Sequence, residues 1–548
     1  MEAKHEAKDA DGPVELRPQT SRPGESTEFN LANRHDQLER GLKSRHIQFL
    51  ALGGAIGTGL FIGSGSILAQ VGPAPLFMGY LSMILVIWVI MNILAEMVTY
   101  LPMRGISVPY FIARFVDKSL AFAAGWNYWY SYAILVGAEA VAASIIIDYW
   151  NPPAHVAVWI AVVLVVNLIL NIVAVSYFGE AEFWFASIKV ITIIGLIILG
   201  IIIFFGGAPG QDGVLGFRYW KDPGAFIEFK TGGSSGRFLA YWYAFIKASY
   251  AFLFSPELIA IAAGETVAPR RNIPKAARRF VWRLAIFYGV LSLIIGIMVP
   301  SNNDRLLGGS SDASASPFVI GIQMVGIPAL NHIINAAILT SAWSAGNSFL
   351  YSGSRVLYSL SLEHQAPKLF SITNKNGVPW VAVLTTWAMG LLAFLNVSNS
   401  GAVVFNWFVS IAIVSGLLSW IIVCVTYLRF RRAMEFNGLL QILPYKTLFQ
   451  PYATWVTLVI VTLLMLTNGF DVFIRRNWDV RNFLASYITL PIFLVLYLGH
   501  KTWSRSSFWI PTKDIDAETG RREMDELETM DDLPMAKNNL QKFWNWVA

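Results

Sequence analysis

Long uncharged apolar runs alternate with short charged or proline-containing connections along most of the chain. About 20 consecutive apolar residues cross a bilayer as a helix. On that rule the pattern predicts twelve spans, at roughly 46–71, 75–101, 119–148, 156–177, 181–206, 238–263, 281–300, 330–356, 378–396, 402–428, 452–470 and 484–504. Two of them are interrupted. In the first, Gly53-Gly54-Ala55-Ile56-Gly57-Thr58-Gly59-Leu60-Phe61 sets four glycines within seven positions, which weakens the helix at its middle. The sixth reads Phe252-Leu253-Phe254-Ser255-Pro256-Glu257, and Pro256, lacking a backbone donor and clashing with the preceding turn, is expected to supply the break. Unpaired backbone groups in hydrocarbon cost several kcal/mol, so both interruptions must face a cavity rather than lipid. Outside the runs, residues 1–43 are rich in charge, Pro and Ser and read as a disordered tail. The stretch from Phe508 is again charged and closes on an amphipathic Phe543-Trp544-Asn545-Trp546 suited to a bilayer surface.

Composition narrows the class. Of 548 residues 55% are hydrophobic and only 14% charged, too apolar for a soluble chain and typical of a polytopic membrane protein. The net charge of +6 matters less than its placement. Arg34, Arg40, Lys43 and Arg45 precede the first span, Arg270, Arg271, Lys275, Arg278, Arg279 and Arg283 follow the sixth, and Arg429, Arg431 and Arg432 follow the tenth. Connections 1–2, 3–4 and 9–10 carry no Lys or Arg, which places them outside and both termini in the cytoplasm. Arg218, Lys221, Lys230 and Arg237 in the 5–6 connection, Arg305 in 7–8, and Arg475, Arg476 and Arg481 in 11–12 stand against the rule and are outvoted. A single Cys424 excludes an intrachain disulfide framework. No HExxH metal site, P-loop or TVGYG filter appears, which speaks against a metalloenzyme, an NTPase or a potassium-type channel.

The remaining chemistry lies inside the spans. A carboxylate or ammonium at membrane depth is costly and must point into the bundle. Glu96 near the cytoplasmic end of span 2 reads as a structural clamp, whereas Glu139 in span 3 lies deeper and reads equally as a polar group of a pocket wall or as a structural hydrogen-bonding group. Lys189 follows the start of span 5 by about nine residues, roughly 13 Å of helix, which puts it at the depth of the first break. A lysine there could alternate between charged and neutral forms, since burial disfavours the charged one; a permanently ion-paired lysine is the alternative. Ser344 and Asn347, three apart on span 8, share a face and are candidates for lining an ion region. An opened turn offers N–H groups to an anion at one helix end and carbonyls to a cation at the other. That pairs with the carboxylate and ammonium of an amino acid.

Arg45-His46-Ile47 followed by GGAIGTGLFIGSG resembles the first transmembrane helix of the fungal amino-acid permeases, within the amino acid/polyamine/organocation superfamily. The likeness continues in order through Gly125-Trp126-Asn127-Tyr128-Trp129, Tyr177-Phe178-Gly179-Glu180-Ala181-Glu182-Phe183-Trp184, Ala263-Gly264-Glu265-Thr266 with Pro269-Arg270, and Ser344-Ala345-Gly346-Asn347 with Ser354-Arg355, over roughly residues 44 to 510. The resemblance implies an all-α polytopic membrane protein of about 12 transmembrane helices, with a LeuT-type 5+5 inverted repeat plus two peripheral helices. On that plan residues 44–206 and 238–430 are the two repeats, 207–237 an extracellular connection, 431–507 helices 11 and 12, and 508–548 a cytoplasmic tail. It also implies uptake of amino acids across the plasma membrane by proton symport and alternating access, with no cofactor or metal and the proton as coupling ion. Ala55, Ile56, Gly57, Thr58 and Gly59 with Phe252, Phe254, Ser255 and Glu257 are then the expected substrate site, Phe252 and Phe254 covering the ligand as a gate. Lys189 and Glu139 are the expected coupling residues.

Such relatives usually carry a small residue and a Thr before the Glu of span 6, where this chain has Ser255-Pro256, so the amino-acid preference stays open. The wall residues are mainly apolar or aromatic, which favours neutral substrates. The implied partners are an amino acid, the lipid bilayer and regulatory proteins on the cytoplasmic tails, and no nucleic acid. A sensor of the same fold, or an amine, choline or 4-aminobutyrate permease, are the competing readings.

Overall fold

The described parts of the long apolar runs are helical in the computed structural model, which describes residues 57–101, 108–173, 175–257, 269–307, 316–327, 329–398, 401–474, 478–505 and 509–519. After one π turn at Gly59–Gly63 come α1 (Ser64–Val71), α2 (Pro73–Tyr100), α3 (Lys118–Asp148), α4 (Val156–Val173) and α5 (Val175–Phe204). The second set is α6 (Gly233–Ala248, extended by a 3-10 turn Ser249–Phe252), α7 (Ile273–Met298), α8 (Leu330–Leu362), α9 (Trp380–Val397) and α10 (Gly401–Phe436). Then follow α11 (Tyr452–Leu466) and α12, a pair Val480–Tyr487 and Thr489–Ser504 bent by 43°. Among the described residues seven helices, or eight with the bent pair, are alone long and apolar enough to cross a membrane. Among the described residues α1, α6 and α11 fall short, with 8, 16 and 15 residues. α8 is long enough, but its Asn, Ser and Gly residues dilute its hydropathy.

This is a polytopic all-helical membrane protein with the LeuT-type arrangement. α1 runs away from its break and α6 runs toward its own, as the first helices of two inverted five-helix sets do. α3 packs against α8 and α10 at the centre, and α2 against α6. Burial follows the same order: 89% of the apolar window of α3 and 83% of that of α10 are inside the protein, against 28% for α4 and 33% for α5, which present the rest to lipid. Close approach needs small residues. A Cβ on Gly79 of α2 would stand 2.8 Å from the Ala244 carbonyl carbon of α6.

One expectation is corrected. The sixth span breaks at Leu253 (φ −55°, ψ 132°) and left-handed Phe254 (φ 58°), and the next helical turn has begun by Ser255. Pro256 therefore sits in a first turn, where a missing N–H costs nothing, and it is not the break. α11 and α12 are peripheral as expected, with Trp455, Val456, Val495 and Trp503 exposed, while the turn between them and the start of α12 reach the cavity described below. Glu96 is a clamp in structure: it accepts from Arg431 Nη1 at 3.3 Å and from Thr447 N and Oγ1 at 2.9 and 2.8 Å. The inner half of span 1, with Ala55 and Ile56, and both tails beyond residue 519 and before residue 57 lie outside the described residues.

Candidate substrate and coupling site

The described start of the first span meets the break of the sixth. A Cβ on Gly59 would lie 2.8 Å from Ala251 Cα, so the start of the α1 half-helix abuts the end of the α6 half-helix without space for a methyl group. Because the two run in opposite directions, the N–H-rich end of one lies beside the carbonyl-rich end of the other. Tyrosines hold this junction: Tyr80 Oη donates to Gly59 O at 3.2 Å and Tyr288 Oη to Ala251 O at 3.1 Å. Phe252 is wholly buried between them, its ring 4.5 Å from that of Tyr288 and 6.0 Å from that of Tyr80. Its ring is enclosed by these two tyrosines. Phe254 turns the other way, onto Tyr132 at 4.8 Å.

Beside the junction lies a buried polar network. Thr58 Oγ1 donates to Glu139 Oε1 at 2.9 Å, and Tyr250 Oη reaches the same oxygen at 3.5 Å. The Lys189 ammonium interacts electrostatically with both Glu182 and Glu139, and Ser344 Oγ donates to Glu182 at 2.7 Å. α3, α5, α8 and both interrupted spans are thus tied through one chain of side chains. Of the expected residues, the structure brings together Gly57, Thr58, Gly59, Glu139, Lys189 and Ser344. Asn347 is elsewhere engaged, accepting from Asn171 Nδ2 at 2.7 Å as a bond between α8 and α4. Ser255 Oγ donates to Phe252 O at 2.6 Å and is used locally. Glu257 stands apart. It lies beside Tyr128 and Trp420, and Tyr128 precedes Glu139 by eleven residues on α3, roughly 16 Å of helix.

A cavity of about 640 Å³ descends to this site from the face opposite the segment 509–519, between α1, α6 and α10. Gly59 and Tyr250 form its floor, and Gln70, Lys247, Phe405, Ser410 and Asp471 are among its walls. Sequence reasoning passed over Glu182, Tyr250 and Lys247. The signals were present: Lys247 is an ionisable residue at membrane depth three positions before Tyr250, and Glu182 precedes Lys189 by two helical turns on one face.

Residues 46–513 match the family model described as amino acid permease. The chain belongs to the amino acid permease family. It is 53% identical over 94% of both chains to the proline-specific permease of Emericella nidulans. It is 56% identical over 90% of both chains to the probable proline-specific permease of Schizosaccharomyces pombe. Identity to the proline-specific permease of Saccharomyces cerevisiae is 49%, over 89% of this chain and 80% of that one. This permease is therefore a multi-pass membrane protein of amino-acid transport, within the amino acid/polyamine/organocation superfamily, and a transporter rather than an enzyme.

Proposed function

We propose that this permease imports proline across the plasma membrane by proton symport with alternating access, its termini in the cytoplasm. The observation that carries the substrate is the naming of three relatives, 49–56% identical over most of their length, as proline-specific. The geometry supports the chemistry. The substrate carboxylate meets the N–H groups that open the α1 half-helix at Thr58 to Leu60, and the ring ammonium of proline offers its two protons to carbonyls ending the α6 half-helix. The cavity mouth then faces the outside. Coupling runs through the network of Glu139, Lys189 and Glu182: a proton added there weakens the bond that Thr58 donates into Glu139 and so alters the first break.

The test is uptake of labelled proline in a permease-deficient host at two external pH values, with competition by all twenty amino acids. Accumulation that rises with external acidity and is suppressed best by proline supports the reading. Binding without accumulation would leave the sensor; inhibition by amines that lack a carboxylate would leave the amine permease.

A further inference from the structure

Three of the eight basic residues that defy the positive-inside pattern converge on one place. Lys230, Arg305 and Arg481, from three different connections, line the cavity mouth, and Lys247 stands farther in on α6. Two carboxylates share the wall, Asp471 and Asp479. Asp479 is committed locally, accepting from Arg481 N at 3.0 Å and capping the first half of α12. Asp471 is different. It lies in the 3-10 turn Phe470–Phe473 and interacts electrostatically with the Lys247 ammonium and with Tyr243. Yet among the described residues no ion pair within 4.0 Å joins it to Lys247. Lys247 Nζ instead donates to Ser410 Oγ at 3.4 Å.

The turn that carries Asp471 is held in place from several sides. Trp242 Nε1 donates to Thr467 Oγ1 at 2.8 Å, Asn468 Nδ2 to Ser410 O at 3.5 Å, and the Phe470 ring lies 5.9 Å from that of Phe229. Farther on, Trp407 Nε1 of α10 donates to Asn482 Oδ1 of α12 at 3.2 Å. Two opposite charges are thus presented on fixed elements to a common space between them.

We propose that Asp471 and Lys247 form an outer subsite for a zwitterion, the carboxylate of Asp471 taking the substrate ammonium and the Lys247 ammonium its carboxylate, before the ligand reaches the break at Gly57–Gly59. The proposal rests on the amino-acid transport reading above. A ligand carrying both charges satisfies both walls, whereas one carrying a single charge leaves the other uncompensated, which is how a polar site rejects. Lys230, Arg305 and Arg481 make the mouth positive, which draws the carboxylate end inward and disfavours substrates with an additional cation.

The experiment uses the full chain in cells, with labelled proline as substrate and two inhibitors: pyrrolidine, which keeps the ammonium only, and tetrahydrofuran-2-carboxylate, which keeps the carboxylate only. Asp471→Asn is expected to raise the KM for proline about 3- to 10-fold, with the maximal rate changed less. Inhibition by tetrahydrofuran-2-carboxylate should stay as in the parent. Asp471→Glu, which retains the charge, should recover part of the loss. An unchanged proline KM in a normally delivered Asp471→Asn chain overturns the subsite, and so does equal weakening of proline and tetrahydrofuran-2-carboxylate. If neither Asp471 variant reaches the surface, the residue is a folding element and the proposal is likewise overturned. Failure of the parent chain to accumulate any amino acid would instead reject the transport reading, whatever Asp471 does.

Discussion

Gly57 and Gly59 are two positions apart, and their surroundings set different limits on them. A Cβ at Gly57 would meet Glu139 Oε1 at 3.4 Å and Ala345 Cβ at 3.5 Å, ordinary contact, whereas one at Gly59 would meet the Ala251 backbone at 2.8 Å. Gly57→Ala is therefore expected to reach the surface with reduced uptake. Gly59→Ala carries an overpacking cost of about 1–3 kcal/mol at the helix junction and should lose transport. Surface labelling beside uptake checks both, and normal transport by Gly59→Ala would remove the junction from the site. Lys189→Ala removes the cation that faces the buried Glu139 and Glu182. Accumulation driven by a pH gradient should then vanish while proline binding in detergent weakens less; intact proton-driven accumulation would move coupling away from this lysine. Glu139 and Lys189 were legible because an ionisable residue at membrane depth has few bland explanations. Tyr250 was not, since an aromatic in an apolar helix reads as packing until its hydroxyl is seen 3.5 Å from a carboxylate.

Among the elements, hydropathy located the described helices well, because bilayer thickness sets their length irrespective of tertiary detail. The sixth break falls around Phe254 as expected, but its cause differs. Proline disrupts a helix interior but not a first turn, and sequence alone does not say which of these Pro256 occupies. The bend rests instead on Phe254 in the left-handed region, at a cost of about 1–2 kcal/mol that the contact with Tyr132 helps to offset. Pro256→Ala is accordingly expected to keep the break, with proline KM and competition ranking close to the parent; loss of proline recognition in a well-delivered variant would restore Pro256 as the determinant. Phe252→Leu removes ring contacts with Tyr80 and Tyr288 worth about 0.5–1.5 kcal/mol per aromatic pair. It should lower the thermal midpoint of the purified protein and leave substrate ranking alone, and a shifted ranking would make this ring the gate. The role of the α11–α12 turn escaped notice because a connection shows no periodicity, and only folding brings Asp471 opposite α6.

For the molecule as a whole, the face opposite the cavity mouth is strapped by its own C-terminal segment. Tyr100 Oη donates to Ala517 O at 2.8 Å, Arg114 Nε to Asp516 O at 2.7 Å, Ile510 N to Val116 O at 3.1 Å, and Arg429 Nη2 to Ile510 O. Burial opposes the charge of Asp516, but hydrogen bonds from Thr519 and the Arg114 guanidinium outweigh it and hold this carboxyl below its ordinary value. A lowered folded value means that its contribution is complete above the unfolded carboxylate range near 3.9 and fades only as pH falls through the folded one. Docking of the strap should thus be constant between about pH 5.5 and 8, whereas Arg114→Ala should speed proteolysis around residues 509–519 at any pH in that window. Equal cleavage of parent and variant would show that this guanidinium does not hold the segment. Deeper in the bundle, at the cavity floor, the contact between Gly59 and Ala251 limits how the transporter can move. With no slack between them, the outer halves of the first and sixth helices cannot slide past one another and have to tilt as one lever. Spin labels on the outer ends of α1 and α6 should hold a constant separation through the transport cycle, while their distance to a label on α10 changes as the cavity opens and shuts.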